Sequence, residues 1–152
     1  MIKQTATFNP DFTIKSATEL FNDEIIKYEE FNEESQLIYI KSPSMEERYK
    51  DGNLHGLCRE WHTNGKLRIE CTYKDNKLHG LFRYWYSNGQ LAIEKPYKDG
   101  KTNGLCHEWY YNGQLWFEET YKNGELDGLS RYWYSDGQLS YEKTYRYGEL
   151  IK

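Results

Sequence analysis

A block of 24 residues recurs four times without a gap, starting at Tyr49, Tyr73, Tyr97 and Tyr121, and a truncated fifth copy begins at Tyr145. Gly56, Leu57, Trp61, Gly65, Leu67 and Glu70 return unchanged in every full copy, so that Trp61 is followed by Trp85, Trp109 and Trp133. A fixed period of this size confines the chain to stacked-repeat architectures, in which each unit buries its apolar surface against the next. The same regularity bears on function. Residues present in every copy are scaffold residues, whereas a single catalytic centre would stand out as unique, and none does.

Each unit reads as two strands and two turns. In the second copy Leu81 to Tyr86 is rich in aromatics, Ser87-Asn88-Gly89 is a turn, Gln90 to Glu94 is the second strand, and Lys74 to Gly80 leads in from the preceding hairpin. Asn-Gly at 64–65, 88–89 and 112–113 and Asp-Gly at 136–137 are strong hairpin signals, because the glycine takes a left-handed backbone conformation there. Two registers are open. A two-residue loop sets Arg59 opposite Glu70 and Cys58 opposite Cys71. A three-residue loop with Gly in a bulge shifts the pairing by one. It puts Leu57, Trp61, Leu67, Ile69 and Tyr73 on one face and Glu60, His62, Arg68 and Glu70 on the other. The second is preferred because it segregates apolar from polar side chains. The recurrent Arg/Glu pairing argues for the first.

Two strands per repeat at ~4.8 Å advance the sheet by ~10 Å, so four repeats span ~40 Å. The expected fold is mostly β, an elongated single-layer antiparallel sheet of tandem hairpins over residues 49–152. The full repeats are 49–72, 73–96, 97–120 and 121–144, and the truncated one is 145–152. Residues 1–48 differ. Ser16-Ala17-Thr18-Glu19 matches a capping box, and Leu20, Phe21, Ile25 and Tyr28 follow at helical spacing. That predicts a helix over about 17–31. Leu37 to Glu46 reads as a degenerate repeat, since Met45 and Glu46 stand 24 residues before Ile69 and Glu70. The segment is expected to cap the sheet, with an acidic partner-binding extension as the alternative.

Aliphatic residues are scarce and aromatics make up 17% of the chain, so Tyr and Trp must supply the contact area. The net charge of -4 carries no concentrated basic patch, which argues against nucleic-acid binding. Cys58, Cys71 and Cys106 form no C-x-x-C pair, the pattern of a reducing compartment without a metal site. Neither a signal peptide nor a membrane-spanning run of ~20 apolar residues is evident, and a soluble cytoplasmic protein is expected.

The unit Y-K-x-G-x-L-x-G-L-x-x-x-W-x-x-N-G-x-L-x-x-E, carried by Tyr49, Gly56, Trp61, Asn64-Gly65, Leu67 and Glu70 and their counterparts, resembles the MORN repeat variant, the repeat of the YwqK-type antitoxin-component family. The resemblance covers residues 49–152. Asn76 in place of the connector Gly and Thr102 in place of the connector Leu depart from it mildly. It implies hairpin repeats in an elongated sheet and does not imply an enzyme. For the original MORN repeats it implies association with membrane lipids, with other proteins, or with a second copy.

Four columns of residues offer chemistry. The tryptophans Trp61, Trp85, Trp109 and Trp133 could stack on a ligand or an extended peptide, but filling the hairpin interior accounts for them more simply. Trp116 replaces Arg68, Ala92 and Ser140 of the other copies, and Phe82 and Tyr111 are similar local excesses, so these three are the candidate partner contacts. Lys50, Lys74, Lys98, Lys122 and Arg146 recur once per repeat and could meet lipid phosphates, although Asp51, Asp75 and Asp99 dilute their field. Glu70, Glu94, Glu118 and Glu142 repeat one environment, unlike paired catalytic carboxylates, and fit a structural role opposite Arg59, Arg83 and Arg131. His55, His62, His79 and His107 are scattered, and no phosphate loop, zinc pattern or nucleophile–base pair appears. The expectation is a non-catalytic scaffold without a cofactor. It would bind an unidentified protein or itself, possess no nucleic-acid partner, and have a peripheral membrane adaptor as its alternative.

Overall fold

A computed structural model of the chain describes residues 2–10, 14–21, 24–34 and 36–151. The described elements are all strands. The N-terminal part contributes β1 (Ile2–Phe8), β2 (Ile14–Phe21), β3 (Glu24–Phe31), β4 (Leu37–Ser42) and β5 (Met45–Lys50). The repeats contribute β6 (Asn53–Leu54), β7 (Gly56–Trp61), β8 (Leu67–Lys74), β9 (Lys77–Leu78), β10 (Gly80–Trp85), β11 (Leu91–Lys98), β12 (Lys101–Thr102) and β13 (Gly104–Trp109). They end with β14 (Leu115–Lys122), β15 (Glu125–Trp133), β16 (Leu139–Arg146) and β17 (Glu149–Leu150). Each long strand pairs antiparallel with the one before and the one after it, giving one open meander. At ~4.8 Å per strand the sheet extends roughly 60 Å.

The helix expected over 17–31 is not formed. Its described residues belong to β2 and β3, with Leu20 opposite Ile25 and Phe21 opposite Glu24, and residues 22 and 23 lie outside the described set. Ser16 caps nothing: its hydroxyl meets that of Thr7 across the strand pair at 2.5 Å. The helical spacing of Leu20, Phe21, Ile25 and Tyr28 therefore spans two strands. β1 on one side and β4 on the other supply partners for the backbone groups of β2 and β3, which a helix would have satisfied within itself.

The two registers weighed from the sequence turn out to coexist in each hairpin. At the Asn-Gly end His62 N donates to Lys66 O and Gly65 N to His62 O, a three-residue loop. Gly65 takes φ +79° while Asn64 does not go positive. Trp61 then faces Leu67, but Glu60 faces Ile69 and Arg59 faces Glu70. Arg68 is the extra residue between them, a bulge that restores the register of a two-residue loop. The tight two-residue turns lie at the other end, where Asp51-Gly52, Asp75-Asn76, Asp99-Gly100 and Asn123-Gly124 have positive φ at both positions.

The bulge corrects the expected faces. Leu57, Trp61 and Leu67 do share a face, but Glu70 is on it too, beside Arg59. Ile69 and Tyr73 occupy the opposite face with Cys58, Cys71 and Glu60. The first is called here the ladder face and the second the packed face. Cys58, Cys71, Cys106, Phe117, Glu119 and Ser130 are buried, and all belong to the packed face. β5 joins β7 with Met45 opposite Glu60 and Glu46 opposite Arg59, the register that Ile69 and Glu70 repeat with Tyr84 and Arg83.

Candidate functional site

The ladder face carries rows of side chains running across the strands. Its middle row is Lys41, Glu46, Arg59, Glu70, Arg83, Glu94, His107, Glu118, Arg131 and Glu142, each directly opposite the next on the adjoining strand. Charge alternates along the row. Within hairpins, the Nε of Arg59, Arg83 and Arg131 donates to Glu70, Glu94 and Glu142 at 2.9, 2.7 and 2.6 Å. Between hairpins, Arg83 reaches Glu70 at 3.7 Å and Arg131 reaches Glu118 at 3.2 Å. His107 is the exception. It stands where the other repeats have Arg, with Nε2 3.3 Å from Glu118 and Nδ1 buried without a hydrogen-bond partner. Its ring stacks on Trp109 with centroids 5.4 Å apart.

Toward the Asn-Gly loops lies a row in which Trp61, Trp85, Trp109 and Trp133 each pair with Leu67, Leu91, Leu115 and Leu139 of the same hairpin. The indoles are half-buried, and among the described residues no second layer covers them. A recess of about 390 Å³ opens among Gln90, Leu91, Trp109 and Gly113. Its counterpart, about 330 Å³, lies 48 residues earlier at Ser42, Pro43, Trp61 and Gly65 and also takes in Lys41. On the other side of the ladder, Leu81, Leu105 and Leu129 are 41%, 45% and 36% exposed. Beyond them the strand ends carry Lys50, Lys74, Lys98, Lys122 and Arg146, all exposed. Lys74 faces Lys77 and Lys98 faces Lys101 across the tight turns, doubling the basic charge in the middle repeats. Asp75 and Asp99 are drawn to His55 and His79, each at 3.2 Å.

The three residues singled out as partner contacts do not form one patch. Phe82 is half-buried in the packed-face row of Cys58 and Cys106, its ring edge on Tyr97. Trp116 is the bulge residue of its hairpin, between Leu115 and Phe117, and is 41% exposed. Its ring touches Tyr110 and Phe117. Tyr111 projects from the neighbouring loop against Tyr86 at 5.1 Å. Trp116 and Tyr111 thus share the loop end of the third hairpin, while Phe82 is part of the interior.

Sequence reasoning missed the buried carboxylate of Glu119. It accepts hydrogen bonds from Ser130 Oγ (3.1 Å), Tyr132 Oη (2.8 Å) and Tyr121 Oη (2.8 Å). No motif marks it, since the equivalent positions hold Cys71, Lys95 and Lys143. With three donors already on its two oxygens and its surface covered, it is poorly placed to take a proton from a substrate. The three thiols are likewise buried. Burial pushes Cys106 up to about 11. A hydrogen bond shared with Cys71 pushes Cys58 up and Cys71 down. These groups hold the packed face together, and the chemistry open to a partner is on the ladder face: indoles, leucines and paired charges.

Comparison with protein families finds the MORN repeat variant at residues 54–75, 78–99, 102–123 and 126–147. Each matched segment contains the Trp, the Asn-Gly or Asp-Gly loop and the ladder Glu of one hairpin. Among curated proteins no match is found.

Proposed function

The chain belongs to the MORN repeat variant family, and on that premise we propose that it is a non-catalytic scaffold whose ladder face binds another protein. MORN repeats occur in scaffolds that mediate protein or membrane interactions. The observation that carries the protein-binding form is the row of exposed leucines, Leu81, Leu105 and Leu129, running parallel to the uncovered Trp row. The two apolar rows flank the charged ladder, and large apolar side chains left exposed in register along one face suit a binding surface with a polar centre. Neutralisation of a toxic partner in the cytoplasm, which the YwqK-type likeness suggests, would be one form of such binding.

The test is affinity capture from the native lysate with the intact protein and with a Leu81→Asp, Leu105→Asp, Leu129→Asp variant. A stoichiometric protein retained by the first at high salt and lost by the second supports the proposal. The same protein held equally by both would move the site elsewhere.

A second reading, a peripheral adaptor on acidic lipid, rests on the directly opposed Lys74–Lys77 and Lys98–Lys101 pairs. Like charges opposite one another are unfavourable unless something neutralises them. Sedimentation with phosphatidylserine vesicles that weakens steeply with salt, and disappears in Lys74→Glu, Lys98→Glu, Lys122→Glu, would favour it.

A further inference from the structure

We propose that the ladder face receives a proline-rich segment with a basic residue, lying across the strands along the Trp row in polyproline II conformation. The inference rests on the protein-binding reading above and names the class of partner.

Spacing is the first argument. Successive indoles of Trp61, Trp85, Trp109 and Trp133 sit at equivalent places two strands apart, which is ~9.6 Å at ~4.8 Å per strand. A polyproline II helix has three residues per turn and rises ~3.1 Å per residue, so it returns the same face every ~9.3 Å. The mismatch is ~0.3 Å per repeat and accumulates to ~1 Å over the whole row. An extended β peptide presents one face every ~6.7 Å and an α-helix turns every ~5.4 Å, and neither keeps step with the row. Aromatic-lined grooves are the usual seat of proline-rich peptides, which lose little conformational freedom on binding. The recess at Leu91, Trp109 and Gly113 and its match at Pro43, Trp61 and Gly65 stand two repeats apart, so they would receive every second such turn.

Charge is the second argument. Along the row Glu46 is paired with Arg48 and Glu70 with both Arg59 and Arg83, whereas Glu94 and Glu118 each have one Arg, Arg83 and Arg131. The missing cation is at His107, between Glu94 and Glu118. His107 is stacked on Trp109, so the acidic gap adjoins the recess in the same repeat. A Lys or Arg near a docked proline would supply the absent charge. A second copy laid face to face would instead cover one charged ladder with another, at a desolvation cost that its apolar rows would have to offset.

The probe is a synthetic 12-residue peptide with proline at every third position and one central Arg. Its controls are a permuted peptide with the prolines clustered and an Arg→Glu version. Binding is followed by the protein's own Trp fluorescence and by calorimetry. The expected result is saturable binding of the periodic peptide, at least tenfold weaker for either control. In the protein, His107→Arg keeps the fold and fills the gap, and it should weaken the periodic peptide about tenfold. Leu91→Asp should abolish binding while leaving the circular dichroism unchanged.

Equal affinity for permuted and periodic peptides, or none for either, overturns the proposal. Should capture still return a protein lost on Leu81→Asp, Leu105→Asp, Leu129→Asp, the broader scaffold reading stands while this one falls. Concentration-dependent self-association abolished by Leu105→Asp would put a second copy on the face and likewise overturn it.

Discussion

His107 shows how one side chain can depart from a repeat without disturbing its backbone. The strands around it keep the register of the other hairpins, with Glu94 and Glu118 as its two cross-strand neighbours. Only the cation is missing, and Nδ1 is left buried without a hydrogen-bond partner. Replacing it with Arg restores the alternation, and His107→Arg is expected to stabilise the fold by about 0.5–1 kcal/mol, the usual scale of a partly exposed ion pair. Thermal melts at low and high salt check this: the gain should shrink with salt, and a Tm lowered at both would refute the account. The Arg–Glu pairing itself was legible, because Arg and Glu eleven residues apart recur across three of the four loops. The inter-hairpin half of the ladder was not, since it depends on how one hairpin joins the next. Glu119 is the opposite case. Its carboxylate accepts from Ser130, Tyr132 and Tyr121, three residues whose nearness only the folded sheet reveals. Glu119→Ala should leave three hydroxyls without that acceptor and cost about 1–3 kcal/mol in denaturant unfolding. A smaller loss than for an exposed Glu such as Glu125 would contradict the burial argument.

The hairpin is the scale at which sequence patterning misled. Alternation alone favoured a register with Ile69 beside Leu67, because those residues are both apolar. The bulge at Arg68 breaks the alternation and sends them to opposite faces. Bulges leave little trace in composition: the four residues at this position are Arg68, Ala92, Trp116 and Ser140, which have nothing in common. Trp116 looked exceptional in the sequence because the position follows no residue type: Ala92 is buried there, while Trp116 is 41% exposed. The opposite holds at Gly128, where φ is +140° and an added Cβ would lie 2.8 Å from the Cβ of Thr120. Gly128→Ala is therefore expected to destabilise the fold by about 1–3 kcal/mol through strain and close contact together. At Gly65, with φ +79° and open space around the Cβ, the same change should cost less. Equal losses in the two variants would argue against the close contact. The N-terminal strands were misread for a related reason. Helical spacing in Leu20, Phe21, Ile25 and Tyr28 arises when one strand follows closely on another, and only the presence of β1 and β4 decides between the outcomes.

Over the whole sheet, a single layer leaves no second core to bury side chains, and the packed face closes over itself with aromatic rings and thiols. Phe117, Tyr132 and Tyr141 stack in succession, with centroids 5.3 and 4.6 Å apart. The period made the meander readable in advance, but it did not reveal that the invariant Leu, Trp and Glu columns line the more open face while the invariant Tyr column lies on the more buried one, among the variable positions of Cys58, Cys71 and Glu119. This arrangement has a consequence for pH. Burial pushes Cys106 up to about 11 from an ordinary value of 9.0. Burial and the hydrogen bond to Glu47 push Tyr49 up to about 12 from 10.0. Tyr121 and Tyr132 are raised for the same pair of reasons, with Glu119 as the acceptor. In each case the unfolded chain gives up its proton at a lower pH than the folded one. Their contribution to stability is thus complete below the ordinary values and is lost as pH climbs through 9 to 12. Tm should be flat from pH 7 to about 9 and then fall steadily, with the loss beginning at the thiol and steepening as the tyrosines enter. Melts followed by circular dichroism, alongside tyrosinate absorbance, would test the order of events. In the fold described, tyrosinate absorbance from these residues should rise only as the sheet comes apart. A Tm that stays level to pH 11 while the tyrosines ionise in the folded protein would mean the packed face is open to water, and the assignment of the two faces would have to be reversed.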